Sequence, residues 1–286
     1  MSSTIAVLAI NGLVYGLIIA LIALGLSIIF GLLDVINLSH GDFFMIGTVV
    51  AYTVITSTGL FWPAFIIAPL LGLVLGALIH LIVIKPLKNA AALTIVATFG
   101  LSMIIQEVVR MTFGATPKRL MPPIEGTFDL FGVDYEIYRI FAAVASVIAI
   151  GAFFVFLERT KFGTWMRAVR HDRDTATALG IPTQKVFMIT FGMGFAMAAI
   201  GGVVAAPITT VDFRTGVDIL PFCFMAVIIG GLGNLPGTAA AAVLLAFMEG
   251  VISGFADPTI ARICSLVLMS AVLLFRPQGL FKGLAK

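Results

Sequence analysis

The sequence predicts an all-α fold: a polytopic transmembrane helical bundle of about eight or nine spans, with discontinuous helices and an inverted repeat. Three observations predict it. The 286 residues are 60% hydrophobic and 11% charged, with a mean hydropathy of +1.16, whereas a water-soluble domain carries about 25% charged residues to coat its surface. The apolar residues lie in continuous runs of roughly the 20 residues a spanning helix needs, not in the alternating pattern of barrel strands. Finally, the basic residues are sorted into particular linkers between those runs.

Taken in order, the apolar runs place spans near 8–33, 41–57, 62–84, 90–110, 137–157, 185–206, 218–235, 238–255 and 260–276. The first, from Ile5 onward, has no basic leader and no small-residue cleavage site, and reads as a retained helix. Lys85 and Lys88, then Arg159, Lys161, Arg167, Arg170, Arg173 and Lys185, then Arg276, Lys282 and Lys286 make up eleven of the 17 basic residues. With nine spans all three groups fall on one side, which the positive-inside rule makes cytoplasmic. The N-terminus is then expected outside and the C-terminus inside. The opposite linkers mix signs: Arg110, Lys118, Arg119 and Arg139 are balanced by Glu125, Asp129, Asp134 and Glu136. Cys223 and Cys264 sit in apolar runs without ligand-like neighbours and read as packing residues.

The chain reads as one domain over 1–286, with repeat halves at about 8–157 and 185–276 and a cytoplasmic segment at about 159–184. Two interruptions by Gly, Pro and polar residues, Asp34 to Asp42 and Pro207 to Pro221, are separated by five spans. An odd number presents the second from the opposite side, as in inverted repeats that hold a solute path between broken helices.

Asn37, Ser39, His40, Gly41 and Asp42 put four polar side chains and a glycine between two apolar runs. A charge deep in a bilayer persists only beside a cavity, a partner or the interface. The stretch is therefore either a short cytoplasmic turn with a helix cap or a break lining a solute route. Glu107 and Glu249 lie near the outer ends of spans. Arg110, one turn from Glu107, suits a local pair; Glu249 is either interfacial or on the route. From Glu158 to Lys185 runs the longest basic linker. Asp172 or Asp174 can start a short helix there, Gly180 suits the left-handed residue that ends it, and Pro182 prevents its resumption. It is either a topology-setting loop or a docking knob for a soluble partner. The glycines from Gly230 to Gly237 lack the Lys-Ser/Thr ending of a phosphate loop and read as a tight turn with close helix approach. No metal-ligand cluster, nucleophile set or paired catalytic carboxylates appears, so no enzyme activity is expected.

Several stretches resemble the branched-chain amino acid permease family of bacterial ABC importers, specifically its H-type subunit. They are Asn11-Gly12 with the helix through Gly31, Ile36 to Gly47, Arg167 to Ile181, Met197 to Gly202, Gly230 to Gly237, and Phe275 to Leu280. They follow the family order over nearly the whole chain; many members carry Glu where Asp42 stands. The resemblance implies a multi-pass inner-membrane permease for branched-chain or related amino acids, with urea, short amides or other small solutes as alternatives. An ion-coupled secondary transporter is the competing class. The resemblance implies a second permease subunit (homologous, or a second copy), two cytoplasmic ATPase subunits that carry ATP and magnesium, and an external solute-binding protein. No cofactor is expected in this chain and no nucleic acid among its partners. It also implies that Arg170, Asp172, Asp174, Ala176, Ala178, Leu179 and Gly180 form the helix that seats in the ATPase, with Asn37, Ser39, His40, Gly41, Asp42 and Glu249 as route candidates. The linkers after the fourth span and around 254–260 are short for docking a binding protein.

Overall fold

A computed structural model describes residues 2–87, 91–130 and 132–281. Lys88, Lys282 and Lys286, named above among the basic residues, lie outside them. The chain folds into α1 (Ser2–Leu33), α2 (His40–Thr58), α3 (Ala64–Leu87), α4 (Ala91–Phe113), a hairpin of β1 (Thr127–Leu130) and β2 (Val133–Glu136), α5 (Ile137–Arg159), α6 (Lys161–His171), α7 (Arg173–Ala178), α8 (Thr183–Ala205), α9 (Thr215–Gly230), α10 (Leu235–Ile252) and α11 (Pro258–Phe275). Among the described residues, eight helices are long and apolar enough to cross a membrane. The expected seventh span is the exception. With 16 residues, α9 measures about 24 Å, short of the roughly 30 Å hydrocarbon core.

Burial explains the arrangement. Helices α1 and α8 are apolar on all sides and buried along most of their length, as a central helix must be. By contrast α3, α4, α5 and α11 expose Ile66, Ile82, Val96, Met103, Ile148 and Val267 on an outer belt, which hydrocarbon tolerates and water does not. Small residues permit the close crossings. A Cβ on Gly25 would meet the backbone of Gly194, and one on Gly194 the backbone of Gly25, where α1 crosses α8.

The contacts come in matched pairs. α1 packs on α10 as α8 packs on α3, and α1 on α9 as α8 on α2. Gly12 and Gly16 abut Ala246 and Val243 in the first contact, and Gly72 and Gly76 abut Ala196 and Gly192 in the second. Helix α5 packs on α1 and α8 outside this pairing.

Two linkers hold more structure than their sequences suggested. The stretch after α4 forms a hairpin with Thr127 opposite Glu136 and Leu130 opposite Val133. Its turn is fixed by Gly132 at φ +80° and by Asp129 Oδ1, which accepts the Gly132 amide at 2.9 Å. Alternation in T-F-D-L and V-D-Y-E was the readable signal. The basic linker after α5 contains a full extra helix, α6, which buries Gly163, Met166 and Val169 at every third position.

The described members of the three basic groups gather at one end of the bundle. Lys85, Arg170 and Arg173 line a common cavity. The Gly231–Asn234 turn meets the C-terminal segment there, with the Leu280 amide bonded to Ile229 O and Asn234 Nδ2 to Phe281 O at 2.7 Å. The hairpin marks the other end.

Candidate functional site: two broken helices that meet

The interruption after α1 is not a surface turn. Asp34 sits at φ +53°, bends the chain back, and residues 34–39 return into the bundle with Val35, Asn37 and Ser39 buried. His40 Nε2 lies 2.9 Å from Ile22 O. Ile22 precedes the end of α1 at Leu33 by about 16 Å of helix, so α2 begins near mid-depth. Ser39 occupies the cap position without a side-chain cap bond. Instead Asn37 Oδ1 accepts both the Ser39 amide, 3.1 Å, and the Ser39 hydroxyl, 2.8 Å. This local turn substitutes for the helix bonds the break removes.

The partner wall is α4, whose role the sequence reading missed. Thr98 Oγ1 accepts the Leu38 amide at 3.2 Å, and Gln106 Nε2 donates to Asp42 Oδ1 at 3.2 Å and to Ser102 Oγ at 2.8 Å. Thr94, Thr98, Ser102 and Gln106 recur every fourth residue in an apolar helix. That polar stripe on one helical face was the available signal. Asp42 is 1% exposed, and its Oδ2, with Asn37 Nδ2 and His40 Nδ1, has no protein partner. Phe43 stacks on Phe195 with centroids 3.6 Å apart, and His40 tilts over the same ring at 5.6 Å.

The second interruption enters from the hairpin end. Val211 and Lys118 exchange backbone bonds of 3.0 and 2.8 Å, tying this stretch to the outer linker. Tyr138 on α5 donates to Val204 O at 2.9 Å. The chain then bends inward and starts α9 at Thr215, whose hydroxyl accepts the Asp212 amide at 3.2 Å. Its second residue, Gly216, lies against Gly41: a Cβ on either would overlap the other's backbone. Two helices entering from opposite ends therefore start side by side deep in the bundle.

Glu249 is not part of this cluster. It lines a cavity of about 270 Å³ at the hairpin end, between α1, α10 and α11, with Asn11, Tyr15, Arg139 and Ser253. Glu249 Oε1 is buried without a hydrogen-bond partner. Close by, the Arg262 guanidinium lies 4.5 Å over the Phe222 ring, and Tyr15 meets that ring edge-on. Arg139 is held by Glu136 at 3.0 Å and Asn11 at 3.2 Å. Glu107 makes the expected local pair with Arg110, at 2.8 and 2.5 Å, half exposed.

At the basic end, Asp172 caps α7, accepting the Asp174 and Thr175 amides at 2.9 and 3.0 Å and the Thr175 hydroxyl at 2.5 Å. The Thr175 hydroxyl, then its amide, holds the Asp172 carboxyl below the usual range. Gly180 closes the helix at φ +81°. Asp174, Ala178 and Leu179 project outward, Leu179 with 76% exposure, and Arg170 is exposed on the preceding helix. Ala176 does not project: it is buried beneath α7.

Residues 8–275 match the family model described as branched-chain amino acid transport system / permease component. The high-affinity branched-chain amino acid transport system permease protein LivH of Salmonella typhimurium is 28% identical, covering 94% of this chain and 93% of the relative. BraD of Pseudomonas aeruginosa, of the same description, is 26% identical over 95% and 94%. A probable branched-chain amino acid transport permease protein, LivM of Methanocaldococcus jannaschii, is 25% identical over 82% and 72%. No solved structure gives a significant match.

Proposed function

The chain belongs to the branched-chain amino acid transport system permease family, and from that premise we propose that it is the transmembrane permease subunit of an ABC importer. It carries branched-chain or related amino acids across the inner membrane, and separate ATPase subunits supply the energy. The observation that carries this reading is the meeting of two oppositely entering helix starts at Gly41 and Gly216. Such breaks are where alternating-access transporters hold their solute route. With α1–α4 matched to α8–α11 by their contacts, the halves form an inverted repeat, and rocking one against the other opens the route to each side in turn.

In this reading the turn at Asn37 and Ser39, the His40 anchor and the Asp42–Gln106 bond hold the start of α2 in place. Toward the hairpin end the unpartnered Glu249 Oε1, in its separate cavity, offers the solute's ammonium group a contact on the way in. The basic end is cytoplasmic, the N-terminus outside and the C-terminus inside. ATP and magnesium reside on two ATPase subunits that seat α7, an external binding protein delivers the solute, and a second permease subunit completes the membrane part. Likeness to both LivH and LivM supports a homologous partner over a second copy.

Reconstitution tests the proposal. Vesicles holding the complete set of subunits take up a branched-chain amino acid only with ATP, and the chain alone takes up none. Gradient-driven uptake by the chain alone defeats the importer reading. Glu249→Gln keeps size and removes charge; uptake at limiting solute falls about tenfold, the value of one charge-assisted bond, and is restored by saturating solute. Unchanged uptake removes Glu249 from the route. Cysteines at Lys85 and Arg170 react with an impermeant thiol reagent only from the inside, and one at Asp134 only from the outside. Mixed labelling of Lys85 and Arg170 defeats the orientation.

A further inference from the structure

We propose that the cavity at the basic end between α1, α3, α6 and α8 binds the phosphate of an anionic phospholipid from the adjacent leaflet. The cavity is about 270 Å³ and is lined by Asp34, His80, Lys85, Arg170, Arg173 and Phe187, among others. Three permanent cations thus face one carboxylate. Among the described residues the ion pairs are Arg110–Glu107 and Arg139–Glu136, so among those residues none of the three cations has a carboxylate partner within 4 Å. They come from three separate elements, and Arg173 is fixed by its guanidinium lying 4.9 Å over the Phe187 ring. At the back of the cavity His80 is 2% exposed, with Nδ1 buried and unpartnered.

Position selects the source of the phosphate. Residues His80–Ile84 form a π-turn in α3, the kind of helix distortion found at functional sites. On the outer face of that turn Ile82 is 71% exposed, and Leu78, four residues earlier, is 45% exposed. An acyl chain can lie along this apolar face while the headgroup enters the cavity. Basic pockets between spanning helices at the membrane surface bind phospholipid headgroups for this reason, and arginines match phosphate oxygens with paired donors. Arg173 is the first residue of α7, so the lipid would brace Arg170 and Arg173 against α3. The proposal rests on the cytoplasmic orientation only for which leaflet supplies the lipid. Binding in detergent depends on neither ATPase nor amino acid, so its failure and failure of the importer reading are separable.

The test is native mass spectrometry of the full chain in detergent, titrated with phosphatidylglycerol, with phosphatidylcholine of the same acyl chains, and with inorganic phosphate. Phosphatidylglycerol is expected to bind at one per chain and at least tenfold more tightly than phosphatidylcholine, undisplaced by phosphate at millimolar concentration. Lys85→Gln and Arg173→Gln each weaken it about fivefold, the value of one cation beside an anionic headgroup. Lys85→Arg restores it. Lys185→Gln, an exposed charge at the same end but outside the cavity, leaves it unchanged. Equal binding of the two lipids, equal loss with Lys185→Gln, or displacement by phosphate at lipid concentrations would overturn the proposal.

Discussion

Gly41→Trp abolishes uptake while the protein still inserts in the membrane at normal level. A Cβ at position 41 already overlaps the Gly216 backbone and comes within 3.2 Å of Leu220 Cβ. Backbone atoms cannot swing aside as a side chain can, so α2 must shift against α9. Overpacking of even a methyl costs about 1–3 kcal/mol, and the shift falls where the two half-bundles touch. Gly41→Ala and Gly216→Ala are each expected to cut uptake at least tenfold. Gly100→Ala on α4, where a Cβ meets nothing within 4 Å, keeps normal uptake. Radiolabelled uptake normalised to membrane-inserted protein decides it. Full activity of Gly41→Trp would reduce the break to a helix start with no part in transport.

Leu179→Asp separates the chain from its ATPase subunits. Leu179 is the most exposed apolar residue of the α6–α7 segment, held out by the Asp172 cap and the Gly180 turn. Burying a leucine in a partner's groove contributes about 1.5–3 kcal/mol, so replacing it by a charge weakens association at least tenfold. Ala178→Glu acts in the same direction. Ala176→Glu is a poor test, because Ala176 is buried and a charge there disrupts α7 itself. Co-purification of the ATPases measures the loss. Undiminished recovery with Leu179→Asp would remove α7 from the interface. The Asp172 cap adds a pH dependence: its depressed carboxyl stabilises α7 above the ordinary aspartate range. That support is lost as pH falls through the lowered value.

Much of the molecule was legible in its sequence because a bilayer imposes one-dimensional rules. Length and apolarity marked eight of the nine expected spans to within a few residues, and charge sorting marked the ends. Gly180 and Gly230 to Gly237 were readable because positive φ and close backbone contact favour the residue without a Cβ. The hairpin at 127–136 and helix α6 were missed although their periodicities are present, since weak alternation in a polar linker competes with the expectation of a loop.

What the sequence by itself determined is the set of apolar helices, the places where they break, and the Asp172-to-Gly180 helix. Each follows from interactions between residues close along the chain and their solvent. Only the tertiary structure decided that residues 34–39 run inward, that Gly41 lies on Gly216, that Thr98, Ser102 and Gln106 line the start of α2, and that Glu249 stands apart in its own cavity. Those facts rest on contacts between residues far apart in the chain, Leu38 with Thr98, Asp42 with Gln106 and Gly41 with Gly216. Their energies depend on how whole helices cross and on which backbones approach closely enough to touch, and no local pattern encodes that depth.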